Sequence, residues 1–114
     1  MKYSVVVLPA AENDLNRILL WLNERSPSGA VTWLFRWEEV VRTLADDPDR
    51  CGLAPESEQH PIAIHQVIFR TRKGNPYRAL FAVKEEAVFV LHIRGMGQKS
   101  VESIVLPSIL PSDD

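Results

Sequence analysis

The stretch Tyr77–Gln98 constrains the fold of this chain more than any other. Two runs rich in β-branched and aromatic residues, Tyr77–Lys84 and Ala87–Arg94, are separated only by Glu85 and Glu86. Such a pair reads as antiparallel strands joined by a short charged turn. Arg78 lies inside the first strand, and His92, Arg94 and Gly95 close the second. An arginine in a strand that otherwise seeks burial requires water, a carboxylate or an anionic ligand.

The segments before the hairpin supply two helices and two further strands. Ser4–Leu8 is β-branched and stops at Pro9, which predicts a short strand. From Ala10 to about Arg25 the apolar residues Leu15, Ile18, Leu19 and Leu22 recur at helical spacing, with Glu12 and Asp14 expected in the first turn. Ser26-Pro27 then breaks the chain and offers a cap and a first-turn proline for a second helix running to about Ala45 or Asp47. Ala30, Trp33, Trp37, Val40 and Leu44 form its stripe, widened by Val31, Leu34, Phe35 and Val41. Asp46–Pro61 reads as loop, and Ile62–Arg72 as a strand with Ile64, Gln66, Ile68 and Arg70 on one face. Lys73-Gly74-Asn75-Pro76 is a turn by composition.

The predicted order is therefore β-α-α-β-β-β. This is an α+β fold in which two N-terminal helices pack on a small, mainly antiparallel twisted sheet. With 114 residues there is room for one core. Residues 1–98 are expected to form a single domain, with 99–114 as a tail that is loosely ordered or held by a partner.

Charge is unevenly spread. Residues 1–64 carry 6 Lys/Arg against 10 Asp/Glu, or −4, whereas residues 65–99 carry 7 against 2, or +5. A basic segment in an acidic chain attracts a phosphate backbone or an acidic peptide, and its plain alternative is pairing with the acidic helices. The overall pI of about 5.9 argues against a general nucleic-acid binder. No apolar run approaches the ~20 residues of a membrane span. The single cysteine, Cys51, permits no internal disulfide and suits a reducing cytoplasm.

Metal, nucleotide and triad chemistry find no support. His60, His65 and His92 have no ligand spacing, and there is no Gly-x-Ser-x-Gly turn or phosphate loop. No metal or cofactor is expected.

The order of these pieces resembles the RelE/ParE superfamily of type II toxin–antitoxin toxins. The resemblance rests on Leu8-Pro9-Ala10-Ala11 with Asp14-Leu15, Ile18 and Trp21-Leu22; Ser26-Pro27 with Ala30 and Trp33; Leu44 with Asp47-Pro48-Asp49-Arg50; Tyr77-Arg78 with Phe81; and Val90–Gly95. It implies growth inhibition, a role in plasmid stabilisation, and a cognate antitoxin as partner, with Trp33, Trp37 and Val41 as candidate contacts.

The superfamily's branches differ in target. ParE-like members act on DNA gyrase, and RelE-like members are ribosome-dependent messenger-RNA endonucleases. Metal-free RNA cleavage needs a base, cations on the scissile phosphate and a proton donor for the leaving oxygen. Arg78 matches the phosphate-binding strand arginine of the nucleases, while Gln98 and Ile104 stand where one nuclease type has arginine and tyrosine. Arg94 and His92 are the other catalytic candidates. Arg70, Arg72, Lys73, Arg78, Arg94, Gln98 and Lys99 are the candidates for holding an anionic target. The resemblance favours the ParE-like branch and a protein that is not an enzyme. The alternatives are a RelE-like nuclease and a degenerate member that binds only its antitoxin.

Overall fold

The computed structural model describes residues 2–95. The tail expected over 99–114, together with Gln98 and Lys99, lies outside the described residues. Along the chain run β1 (Ser4–Val7), α1 (Pro9–Arg25), α2 (Pro27–Asp46), β2 (His65–Phe69), β3 (Tyr77–Lys84) and β4 (Ala87–Gly95). Both helices begin on proline, which tolerates the first helical position because the missing N–H has no intrahelical partner there. Ser26 caps α2 by accepting the Gly29 N–H at 3.1 Å.

The sheet order is β1-β4-β3-β2. β2, β3 and β4 form the expected antiparallel meander, and β1 returns to pair in parallel with β4, Ser4 opposite Ala87 through Val7 opposite Val90. The helical hairpin covers one face. Trp33, Trp37, Val40 and Leu44 of α2 and Ala11 of α1 pack there with Phe69, Ala79, Phe81, Val88, Val90 and Ile93. The whole predicted stripe of α2 is buried by this packing, and on its flank Val31 and Phe35 remain 53% and 63% exposed.

Two expectations need correction. β2 is shorter than Ile62–Arg72 because Ile62 and Ile64 are recruited elsewhere: they join Ala54 in a second apolar cluster with Leu80, Ala82, Phe89 and Leu91 on the sheet's other face. The segment 46–61 is thus a covering layer with two 3-10 turns, Pro48–Arg50 and Pro55–Gln59. Asp14 is not a first-turn residue responding to the helix dipole. It lies 7% exposed in the second turn of α1 and is bonded to β4.

An irregularity between β3 and β4 decides what shares a face. Phe81 is opposite Val90 but Leu80 is opposite His92, so β4 spends one extra residue, Leu91. A one-residue insertion inverts side-chain parity along the rest of the strand. Without it His92 and Arg94 would follow Val88 and Val90 toward the helices. With it Ile93 enters the helix-side core, while His92 and Arg94 take the face of Arg78.

Candidate functional site

The bulge brings Gln66 and Ile68 of β2, Arg78 of β3, and His92 and Arg94 of β4 onto one face, with Arg78 directly opposite Arg94 in register. Like charges at opposed cross-strand positions destabilise a sheet unless an anion intervenes. Arg78 has its own anion, Glu56, from the 3-10 turn Pro55–Gln59. Arg78 Nη1 donates to Glu56 Oε1 at 2.8 Å and Nη2 to Oε2 at 2.5 Å, a bidentate fork. Nη1 also donates to Gln66 Oε1 at 3.1 Å. Glu56 is 1% exposed, and the Arg78 side chain is 20% exposed. The hydrogen bond to Glu56 raises the Arg78 pKa, burial pulls the other way, and the Glu56 charge adds to the rise, so the guanidinium stays protonated.

His92 is held by a second carboxylate. Its Nδ1 lies 3.0 Å from Asp14 Oδ2, which also accepts the Ile93 backbone N–H at 3.0 Å. Burial alone would raise the Asp14 pKa. The hydrogen bonds from His92 and Ile93 and the electrostatic pull of His92 and Arg17 outweigh it, holding the carboxyl below its usual range. An ionised carboxylate only accepts, so the His92 Nδ1 carries the proton in this pair.

Of the remaining basic candidates, Lys99 lies outside the described residues and the others fall outside the paired strands. Arg70 and Arg72 lie beyond the end of β2, and Ile68, 63% exposed, is the residue opposite Arg78. The chain turns at Thr71, whose carbonyl accepts the Gly74 N–H at 3.1 Å, so Arg70, Arg72 and Lys73 form a separate exposed cluster at the β2–β3 connection.

The aromatic candidates are also relocated. Trp33 and Trp37 are only 3% and 4% exposed, packed against Phe69, and Trp33 against Tyr77. Buried in the core, neither presents an anchor to a partner, and Val41 is half-buried against the same core. The apolar surface that is presented consists of Leu20, Val31 and Phe35 on the helical hairpin, beside a groove of about 460 Å³ lined by Leu19, Leu20, Val31 and Leu34. Cys51 is half-buried, and burial pushes its thiol up, the opposite of an activated nucleophile.

Glu56, Gln66 and Asp14 were missed as site residues. For Asp14 a signal existed: with Ala11, Leu15, Ile18 and Leu22 it falls on the apolar stripe of α1, and an acid on such a stripe requires a partner. Gln66 was assigned the correct face without a role. Glu56 sits in an aperiodic loop that carried no signal.

Among the described residues no helix is long and apolar enough to cross a membrane. A family model described as the ParE toxin of the type II toxin–antitoxin system parDE matches residues 5–99. The chain belongs to the ParE toxin family. The match runs from Val5 within β1 through the end of β4, so this ParE-family chain is a toxin of a type II toxin–antitoxin system, and such a system supplies a protein antitoxin as its partner. No curated protein matches the chain.

Proposed function

We propose that this toxin acts on DNA gyrase by binding it, and is neutralised by a cognate antitoxin that covers the toxin. The supporting observation is the Arg78–Glu56 fork: the one strand arginine that matches the nucleases' phosphate-binding position has its paired donors on a buried carboxylate of the same chain. A nuclease needs those donors for the scissile phosphate. The antitoxin is assigned the apolar hairpin surface at Leu20, Val31 and Phe35, with the exposed cations Arg70, Arg72 and Lys73 receiving acidic residues of its binding segment.

One observation favours a second reading. A histidine oriented by a carboxylate is the arrangement of a general base, and the Asp14–His92 pair has it. In the RelE-like alternative His92 activates the 2′-hydroxyl. The two readings separate on induced expression in a growing host. Gyrase-linked DNA breaks with filamentation, and loss of supercoiling by purified gyrase exposed to the toxin, are the expected results. Rapid cleavage of messenger RNA within translated codons, abolished by His92→Gln, would replace the gyrase reading with the nuclease one.

A further inference from the structure

A carboxylate enters the interior of a small protein only where something holds it. Glu56 is 1% exposed, and both of its oxygens engage the fork of a guanidinium on the strand that faces it. That planar two-point geometry is also the one by which arginine holds a phosphate. The second guanidinium, Arg94, stands at the register position opposite Arg78, and Gln66 adds a polar group on the other side. The ingredients of an anion site are therefore assembled on one sheet face, and the chain delivers the anion itself from its covering loop.

We propose that Glu56 sets the target class of this face: its carboxylate stands where phosphate oxygens would bind Arg78, and so closes the face to nucleic acid. The inference rests on the reading of this toxin as one that engages a protein, and it assigns that choice to a single residue. A tethered carboxylate competes at an effective concentration that a phosphate arriving from solution does not match. Displacing it would also strand a charge in a dry environment, so exchange is opposed from both sides. Replacing the carboxylate by an uncharged group removes the competing charge and leaves the Arg78 fork without its anionic partner, which favours a phosphate or phosphodiester.

The test compares the purified wild-type chain with Glu56→Gln, titrated at low ionic strength with inorganic phosphate by calorimetry and with a short single-stranded RNA by fluorescence anisotropy. The expected result is at least a tenfold gain in affinity for both ligands in the variant, lost again when Arg78→Met is added. A folded Glu56→Gln protein with no gain overturns the proposal. A gain that survives Arg78→Met overturns it too, because the binding would then be diffuse electrostatics. A gain for phosphate without one for RNA also overturns it, since the target class would be unchanged. Should Glu56→Gln fail to fold, Glu56→Asp keeps the charge but draws it back by one methylene; a smaller, Arg78-dependent gain is expected, and none at all overturns the proposal. Gyrase inhibition by the wild-type toxin is scored separately, so failure of the functional reading and failure of this inference are distinguishable.

Discussion

Asp14 accepts the backbone N–H of Ile93 at 3.0 Å, at the point where β4 has outrun its neighbour. β1 pairs only as far as Val7 with Val90, and the Leu8 N–H to the Val90 carbonyl at 3.0 Å is the last backbone bond on that side. Past it, a side-chain carboxylate from α1 does what a strand carbonyl would do. The same oxygen fixes His92, so one acid locks a helix to the sheet edge and orients a ring on it.

Asp14 makes stability depend on acid pH. Its folded pKa is held below the unfolded value of ~3.9. The stabilisation is therefore fully present above that value and is lost as the pH falls through the lower folded pKa. Asp14→Asn should lower stability by about 1–3 kcal/mol at neutral pH and flatten the acid limb below ~pH 4. Thermal melts between roughly pH 2 and 6 check both; an unchanged acid limb in the variant would remove Asp14 as its source.

Arg78→Ala is expected to cost about 3–5 kcal/mol, because it strands the Glu56 carboxylate in the interior. Urea unfolding measures this directly. Combining Arg78→Met with Glu56→Leu should recover most of the loss, since apolar replacement of both partners removes the stranded charge. Loss of toxicity in Arg78→Ala alone then reports folding rather than target contact, and toxicity assays belong with the double variant.

Partner binding and folding should separate on α2. Trp37→Ala is expected to lose about 3–5 kcal/mol through the cavity it opens. Phe35→Asp, on the exposed flank, should change stability by no more than ~0.5 kcal/mol and weaken antitoxin binding at least ~tenfold. Equal antitoxin affinity in Phe35→Asp and the wild type would clear the hairpin surface of that role.

The β3–β4 turn carries a small strain. Glu85 has φ 56°, a left-handed conformation that glutamate rarely adopts. Glu85→Asn should stabilise by about 0.5–1 kcal/mol, since asparagine tolerates this region better. The melting temperature is the readout, and a fall would mean that the glutamate side chain does something the backbone argument omits.

Where periodicity governs, the sequence predicted well: the stripe of α2, the Ser26 cap, the hairpin and its Glu85-Glu86 turn are all local patterns. What it did not reveal depends on long-range geometry. The parity of His92 and Arg94 turns on the extra residue Leu91, and nothing in Val88–Arg94 marks which residue is extra. Arg78 was expected to need a partner, but Glu56 lies 22 positions away in an aperiodic loop, so its identity required the fold. Trp33 and Trp37 were candidate antitoxin contacts although the core was the expected place for at least one of them, and both pack in the core against Phe69.

The pairing of β1 with β4 ties the first strand of the described residues to the last. Val5 and Val7 can rest in their places only once Val88 and Val90 have been synthesised, with the whole helical hairpin and two other strands in between. Contacts of such long sequence separation form late. A growing chain that halts anywhere before residue 87 therefore holds no finished sheet and no Asp14–Ile93 lock. A chain released before that point carries both helices without Val88 and Val90, part of the floor they pack on.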